Sequence, residues 1–147
     1  RDPTTDALSW SVSFGEPETA MGWGIHPAGL TELLERLHRE YPCAEYSITE
    51  CGAAFDDEVD DTGAVDDVAR TEYVAAHVDA ALRAIATGVP VSAFFAWSLL
   101  DNFEWAEGLS KRFGIIHVDF ETLERTPKAS ALWYARKIAE MSEPAHA

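Results

Sequence analysis

Apolar residues recur at helical spacing in three separate stretches of the chain. The first stretch follows Pro27, which is well placed as the first residue of a helix, and Tyr41-Pro42 ends it. Gly88 closes the second stretch, and Thr126-Pro127 is expected to cap the third. We therefore predict three amphipathic helices, with apolar positions at Leu30, Leu33, Leu34 and Leu37, at Val74, Val78, Ala81, Leu82 and Ile85, and at Leu132, Ala135 and Ile138.

Three further segments have the pattern of extended chain. Residues 91–97 are apolar at nearly every position, which is typical of a parallel strand buried on both faces. Residues 45–49 are predicted to form a shorter strand, which ends before Gly52 and a solvated acidic loop at residues 56–61. Residues 113–118 are predicted to be a short extended piece.

The predicted order of elements is helix, strand, helix, strand and helix. About 45 residues separate the start of one strand from the start of the next, which indicates parallel strands joined by crossover connections. The fold class is therefore α/β, built from βα repeats. Residues 1–25 have no sustained period and are interrupted by Pro and Gly, so we predict an irregular loop carrying Trp10 and Trp23.

Composition and charge narrow the class of ligand. A chain that is 47% hydrophobic and 25% charged has the composition of a soluble globular domain, which argues against disorder. Its formal net charge of −15 would repel phosphate backbones and anionic lipid headgroups, so we expect no nucleic acid and no membrane among its partners. A neutral or weakly charged small substrate fits this charge better.

The sequence also bears on the cellular compartment. No signal peptide is visible, and the most apolar stretch, residues 89–100, is too short to span a bilayer. Cys43 and Cys51 have neither the spacing of a metal or redox site nor the density of a disulfide scaffold, so we interpret them as free thiols. These observations together predict a cytoplasmic protein.

Unusual residues are concentrated directly after the two predicted strands, in segments 47–54 and 97–108. Parallel α/β folds place their ligand sites at this end of the strands. Taken singly, a Glu at a strand end is more often exposed to solvent than catalytic, and a Trp is usually a core or rim aromatic residue. The wider motifs around these residues favour a functional interpretation.

Thr49-Glu50-Cys51-Gly52 resembles the Thr-Glu-Asn-Gly motif of glycoside hydrolase family 1. The segment Trp-Ser-Leu-Leu-Asp-Asn-Phe-Glu-Trp at residues 97–105, continued by Ser-Lys-Arg-Phe-Gly-Ile at residues 110–115, is similar to the eighth-strand segment of that family. The resemblance extends from about Thr19 to Tyr134. It implies that residues 1–147 form a single partial domain, the C-terminal part of a TIM (β/α)8 barrel with about the last two βα units and the preceding loop and helix.

The same resemblance implies a role for each of five residues in a retaining β-glucosidase-like enzyme that acts on neutral β-glycosides. Glu50 would be the nucleophile and Trp97 the floor under the sugar ring. Glu104 would accept hydrogen bonds from distal hydroxyls, Trp105 would donate one from its indole, and Phe113 would pack near C6. These residue types suit the chemistry, because a carboxylate is a competent nucleophile at an oxocarbenium-like centre and indoles offer an apolar face with one donor.

The other groups of residues that could bind a metal or a cofactor do not match a known motif, so we predict neither. The five histidines lie far apart without the spacing of a zinc motif, and the acidic run at residues 56–61 fails the calcium-loop template. Cys51 and Leu109 stand where the family usually has Asn and Tyr. No histidine is near Cys51 in sequence to activate its thiol, so it receives no catalytic role.

A retaining glycosidase needs a second carboxyl, and the Asn-Glu-Pro motif that carries the acid/base in this family is missing from the sequence. We therefore expect the isolated chain to be inactive or very weak, and to bind a β-glycoside or monosaccharide only through part of a subsite. Two hypotheses stay open: an enzyme segment that a complementary N-terminal barrel segment completes, or a catalytically incomplete half-barrel that binds sugar or serves assembly. Unpaired strand edges would favour association with that segment or self-association.

Overall fold

The structure, a computed structural model, describes residues 17–142. It contains three α-helices and four β-strands: α1 (Pro27–Glu40), β1 (Tyr46–Cys51), α2 (Val68–Ala86), β2 (Val91–Ala96), β3 (Ile116–Val118), β4 (Arg125–Pro127) and α3 (Ala129–Ser142), with a short 3-10 helix at Trp105–Glu107. The predicted order of helix, strand, helix, strand and helix is confirmed. Residues 1–16 of the predicted loop lie outside the described residues, and residues 17–25 form a turn closed by a bridge between Glu18 and Gly24.

The strands β1 and β2 pair in parallel, as the long connection between them predicts. Helix α2 makes this connection, and Gly88 ends it in the left-handed conformation, with a φ of 97° that a residue with a side chain rarely adopts. Val89 then donates its N–H to the carbonyl of Ala84 at 3.1 Å, which turns the chain directly into β2. The site-bearing ends of both strands therefore point the same way.

The hydrophobic core lies between the two strands and the helices α1 and α2. Small residues on α2 let the helices approach closely, and Thr31 of α1 donates its hydroxyl to the carbonyl of Ala80 at 2.8 Å. The buried core cluster consists of Leu34, Ile48, Ala81, Ala84 and Val89. This core fixes β1 and β2 from their helix-facing side. None of the helices within residues 17–142 qualifies as a membrane-spanning segment.

The prediction that the second strand is buried on both faces is wrong for this chain. Phe94 packs against Tyr134 of α3, with ring centroids 6.4 Å apart, whereas Ser92 is exposed and Phe95 is 57% exposed. Neighbouring side chains on a strand point to opposite faces, so Phe95 lies on the face that the helices do not cover. Within residues 17–142, no element packs against that second face.

The start of α3 also differs from the prediction. Thr126 and Pro127 do not cap it, because they belong to β4, which pairs with β3 in a short antiparallel hairpin. The first turn is held instead by Asp67, whose carboxylate accepts hydrogen bonds from the Ser130 N–H at 2.8 Å and the Ser130 hydroxyl at 2.6 Å. A carboxylate from the start of another helix thus satisfies an N–H that no residue within α3 can satisfy.

The predicted inner face of α3 is wrong as well. Leu132, Ala135 and Ile138 are all exposed. The helix turns a different face to the fold, on which Ser130 is buried and Tyr134 donates its hydroxyl to the carbonyl of Phe94 at 2.9 Å. Leu132, Ala135 and Ile138 therefore lie along α3 as predicted, but no described element packs against them.

The prediction that the acidic loop at residues 56–61 is solvated is wrong for Asp57, whose side chain is only 1% exposed. It belongs to a network of six charged side chains, which we call the ion network: Asp57, Asp67, Arg70, Asp101, Arg112 and Lys128. Three carboxylates and three cations give the network no net charge, which offsets the cost of burying each ion inside the fold.

Candidate active site

The site begins where β1 and β2 end. Glu50 is the next-to-last residue of β1 and is exposed, and Trp97 directly follows β2. The Trp97 N–H donates to the carbonyl of Cys51 at 2.9 Å, so the two strand ends stay paired up to the site. A cis peptide bond joins Trp97 to Ser98.

Gly52 lies where the chain after β1 passes the backbone of Trp97. A Cβ atom built at this position would lie 1.6 Å from the Trp97 carbonyl oxygen, a distance at which the backbone itself would have to move. Only glycine therefore allows the chain just after Glu50 to pass this close to the backbone of Trp97.

Replacing Gly52 with alanine should destabilise the fold by about 1–3 kcal/mol, because the added methyl group overpacks two backbone segments. Gly24→Ala is the matched control, since a Cβ there meets nothing within 4 Å, and its effect should stay within about 0.5 kcal/mol. Chemical denaturation of both variants measures the difference. Equal stability of the two variants would contradict the close approach.

Phe113 forms the wall beside Trp97. The Ser98 N–H donates to the carbonyl of Phe113 at 3.1 Å, and the Ile115 N–H donates to the carbonyl of Ser98 at 2.8 Å. The ring of Phe113 is almost fully buried and lies 6.1 Å, centroid to centroid, from the ring of Trp23. The segment around Phe113 is thus tied by backbone hydrogen bonds to the segment that carries Trp97.

Glu104 and Trp105 lie on a short closed loop. The Glu104 N–H donates to the carbonyl of Gly108 at 2.7 Å, and the 3-10 helix lies between these residues. Trp105 has a φ of 37°, unusual for a residue other than glycine, and its side chain is 85% exposed. Strained backbone of this kind concentrates at functional sites, which supports a role for this loop.

All five residues that the sequence singled out line one cleft of about 290 Å³. Its seven lining residues are Trp23, Glu50, Gly52, Trp97, Glu104, Trp105 and Phe113. The geometry brings the candidate residues together, and their individual roles stay predictions. The sequence analysis did not assign Trp23 and Gly52 to the site, although both lie in segments that carry the family resemblance.

Trp23 reaches the cleft because its loop is fastened on both sides. The Thr19 hydroxyl accepts hydrogen bonds from the N–H groups of Met21 and Trp23, each at 3.2 Å. Lys111 donates to the carbonyl of Ala20 at 2.7 Å, which ties this loop to the segment just before Phe113. A Thr hydroxyl at the first residue of a turn is the local signal that could have predicted this arrangement.

The charged groups that line the cleft are two carboxylates, Glu50 and Glu104, and the other lining side chains are aromatic. Carboxylates accept strong hydrogen bonds from hydroxyl groups, and aromatic faces pack on the apolar face of a ring. An anionic ligand would be repelled by this lining. The cleft therefore suits a neutral polyhydroxyl ligand that is flat on at least one face.

Cys51 lies next to Glu50 but does not have the character of a nucleophile. Burial raises the pKa of its thiol to about 11, and a hydrogen bond with Tyr73 opposes this only in part. Since the thiolate is the reactive form, Cys51 stays protonated and inert at neutral pH. Among residues 17–142, no group of three or more His, Cys, Asp or Glu is arranged to hold a metal ion.

Comparison with known proteins gives concordant matches. The model of Glycosyl hydrolase family 1 matches residues 4–143. Beta-glucosidase A of Thermotoga maritima is 50% identical over 137 residues, which are 93% of this chain and 31% of that protein. A bifunctional beta-D-glucosidase/beta-D-fucosidase of Bifidobacterium breve is 45% identical over 144 residues, with coverage of 95% and 31%.

A solved structure matches equally well. The family 1 β-glucosidase from Thermotoga maritima in complex with isofagomine lactam has a TM-score of 0.87 to this chain at 48% sequence identity. The match covers 90% of this chain and 30% of that one. The chain thus spans about a third of the length of the relatives it matches, at 31% in both sequence comparisons.

Proposed function

Because the chain belongs to glycosyl hydrolase family 1, whose model matches residues 4–143, we propose that it supplies the nucleophile and part of the sugar subsite of a retaining β-glycosidase. It corresponds to the C-terminal portion of that family's TIM barrel. We assign to it about the last two βα units. One observation carries the proposal: Glu50 lines the same cleft as Trp97, Glu104, Trp105 and Phe113.

Glu50 acts by attacking the anomeric carbon of the bound sugar. Its carboxylate forms a bond to that carbon as the bond to the aglycone oxygen breaks, which leaves a covalent glycosyl-enzyme intermediate. Water then hydrolyses the intermediate, so the sugar is released with its β configuration retained. The exposed position of Glu50 at the end of a strand gives an anomeric carbon access to the carboxylate.

The remaining lining residues hold the sugar. Trp97 forms the floor under the ring, and Phe113 packs near C6. Glu104 accepts charge-assisted hydrogen bonds from the distal hydroxyls, and the indole N–H of Trp105 donates one to a neighbouring hydroxyl. The substrate is a neutral β-glycoside, which agrees with a cleft that offers carboxylates and no cation among its lining residues.

The reaction needs a second carboxyl about 5–5.5 Å from the nucleophile to act as acid and then base. The sequence holds no Asn-Glu-Pro motif, so we propose that an N-terminal barrel segment contributes this group. The described strands leave room for such a segment, because β1 and β2 form a two-stranded sheet and Phe95 lies on its uncovered face.

Since Cys43 and Cys51 are both free thiols, we place the protein in the cytoplasm.

A second candidate function is an incomplete half-barrel that binds sugar or serves assembly. The free edges of the β1–β2 sheet and the exposed stripe of Leu132 and Ile138 on α3 favour it. Unpaired edges and uncovered apolar faces drive association with another chain. Sedimentation of the chain should show self-association, or a complex with a family-type N-terminal portion. A monodisperse monomer that unfolds cooperatively would exclude this candidate.

The enzyme proposal is tested with a hybrid that joins this chain to the N-terminal portion of the Thermotoga maritima relative. The hybrid should hydrolyse 4-nitrophenyl β-glucoside, and NMR should detect β-glucose before its α anomer appears by mutarotation. The chain alone and the N-terminal portion alone should show no turnover. A folded hybrid that is inactive, or one that releases α-glucose first, would contradict the proposal.

A further inference from the structure

Asp101 is a fully buried carboxylate inside the loop that carries the candidate binding residues. It lies between Trp97 and Glu104 in the chain, and its side chain is 0% exposed. Its Oδ1 atom accepts hydrogen bonds from the Gly114 N–H and the Lys128 ammonium, each at 2.9 Å. Its Oδ2 atom accepts one from Arg112 at 2.6 Å. Hydrogen bonds therefore reach both oxygens from several directions.

Two of these donors flank Phe113 in the chain. The Arg112 side chain binds Asp101 from one side of Phe113, and the Gly114 N–H binds it from the other. The Asp101 carboxylate therefore holds the Phe113 wall from both ends, at a fixed place relative to the loop that carries Trp97 and Glu104.

Lys128 extends this connection to the loop that follows Glu50. Its ammonium group lies 2.9 Å from Asp101, 2.5 Å from Asp57 in the loop that follows β1, and 2.6 Å from the carbonyl of Gly114. Lys128 is itself 0% exposed. One buried cation thus joins the two chain segments that carry the candidate catalytic and binding residues.

We propose that Asp101 is a positioning residue for this cleft: by binding Arg112, Gly114 and Lys128, it fixes Phe113 against Trp97 and sets both relative to Glu50. This inference rests on the proposed function for its catalytic consequence. Asp101 does not line the cleft, so it acts only through the residues that it holds. A shift of about 1 Å in such a scaffold can cost about 100-fold in rate.

The same network supplies a matched control. Asp67 is also a buried aspartate, with its side chain 1% exposed, but its partners are Nη1 of Arg70 and Ser130, and neither residue lines the cleft. Arg70 contacts the Arg112 carbonyl through its other nitrogen, Nη2, so Asp67 makes no direct contact with the residues that hold Phe113. Asp101→Asn and Asp67→Asn therefore make the same chemical change in the same network. Only the first change removes direct contacts on both sides of Phe113.

The first measurement is amide hydrogen exchange in the chain, which needs no activity. Asp101→Asn should speed exchange of the Ser98 and Ile115 N–H groups, which pair the Trp97 and Phe113 segments, by about tenfold relative to Asp67→Asn. The second measurement is hydrolysis by the hybrid well below the melting temperature of each variant. There Asp101→Asn should lower kcat/KM by about 100-fold, mostly in kcat, while the effect of Asp67→Asn should stay within about threefold.

Equal effects of the two variants on amide exchange and on kcat/KM would overturn the proposal. If the unsubstituted hybrid does not hydrolyse glycosides, the proposed function fails, and amide exchange alone decides the positioning role. If Asp101→Asn does not fold, Arg112→Met takes its place, because its side chain is 23% exposed and it removes one partner of Asp101. Exchange at Ser98 and Ile115 that is unchanged in Arg112→Met would also overturn the proposal.

Discussion

Replacing Glu50 with glutamine should abolish hydrolysis by the hybrid, with kcat falling by about 10⁵-fold or more, as expected when a nucleophile is removed. The amide has nearly the shape of the carboxylate, but it has no negative charge with which to attack the anomeric carbon. Binding should survive the change, because the Trp97 floor and the Glu104 hydrogen bonds are untouched. Steady-state kinetics with an aryl β-glucoside measure the loss, and titration with a non-hydrolysable inhibitor measures binding.

The matched control is Glu45→Gln, an exposed glutamate just before the other end of β1, which should leave kcat unchanged. A stronger test is Glu50→Gly, whose vacated space admits azide as a replacement nucleophile. Azide should restore turnover of an activated β-glucoside and yield an α-glucosyl azide, because a single displacement inverts the anomeric carbon. Substantial hydrolysis by Glu50→Gln would refute the assignment of Glu50.

Replacing Arg70 with methionine should destabilise the fold by about 3–5 kcal/mol, the usual effect of removing one partner from a buried ion pair. Arg70 is 1% exposed and lies 2.6 Å from both Asp57 and Asp67, so its loss leaves two buried carboxylates short of a cation. It also donates to the backbone carbonyl of Arg112 at 2.7 Å. Urea denaturation of the hybrid, analysed by linear extrapolation, measures the change in the free energy of unfolding.

Arg36→Met provides the contrast for this prediction. Arg36 pairs with Glu40 on the surface of α1 at 3.1 Å, but its side chain is 68% exposed, and such pairs contribute less than about 0.5 kcal/mol. The two variants remove the same charge and differ only in burial and partners. A small effect of Arg70→Met, comparable with that of Arg36→Met, would show that the ion network does not stabilise the fold.

Local periodicity predicted the helices and the two paired strands because each element is long enough to show its own pattern. The extended piece predicted at residues 113–118 contains β3, but β4 and its pairing with β3 were missed, because three residues per strand are too few to establish an alternation. The sequence predicted that Glu50 and Trp97 each follow or end a strand, where parallel folds gather ligand residues, and the structure has both residues at strand ends. Trp23 was missed because it reaches the cleft from a loop without a period.

The ion network could not be predicted from the sequence by pattern. Asp57 lies in an acidic run that favours a solvated loop, and its burial depends on Arg70 and Lys128, which are distant in the chain. Pairing between distant positions leaves no local signature in one sequence. The exposure of Phe95 was missed for a different reason. The apolar pattern of its strand predicts that both faces are covered, but no described element covers the face on which Phe95 lies.

The most direct test of the account is the site of covalent labelling in the hybrid. Incubation with an activated 2-fluoro-glucoside, followed by proteolysis and mass spectrometry, should show one added sugar on the peptide that contains Glu50, and the label should be absent in Glu50→Gln. An activated leaving group needs little acid assistance, and the 2-fluoro substituent slows hydrolysis of the intermediate, so the adduct accumulates. A hybrid that hydrolyses glucosides but carries the label on another carboxylate would contradict the account.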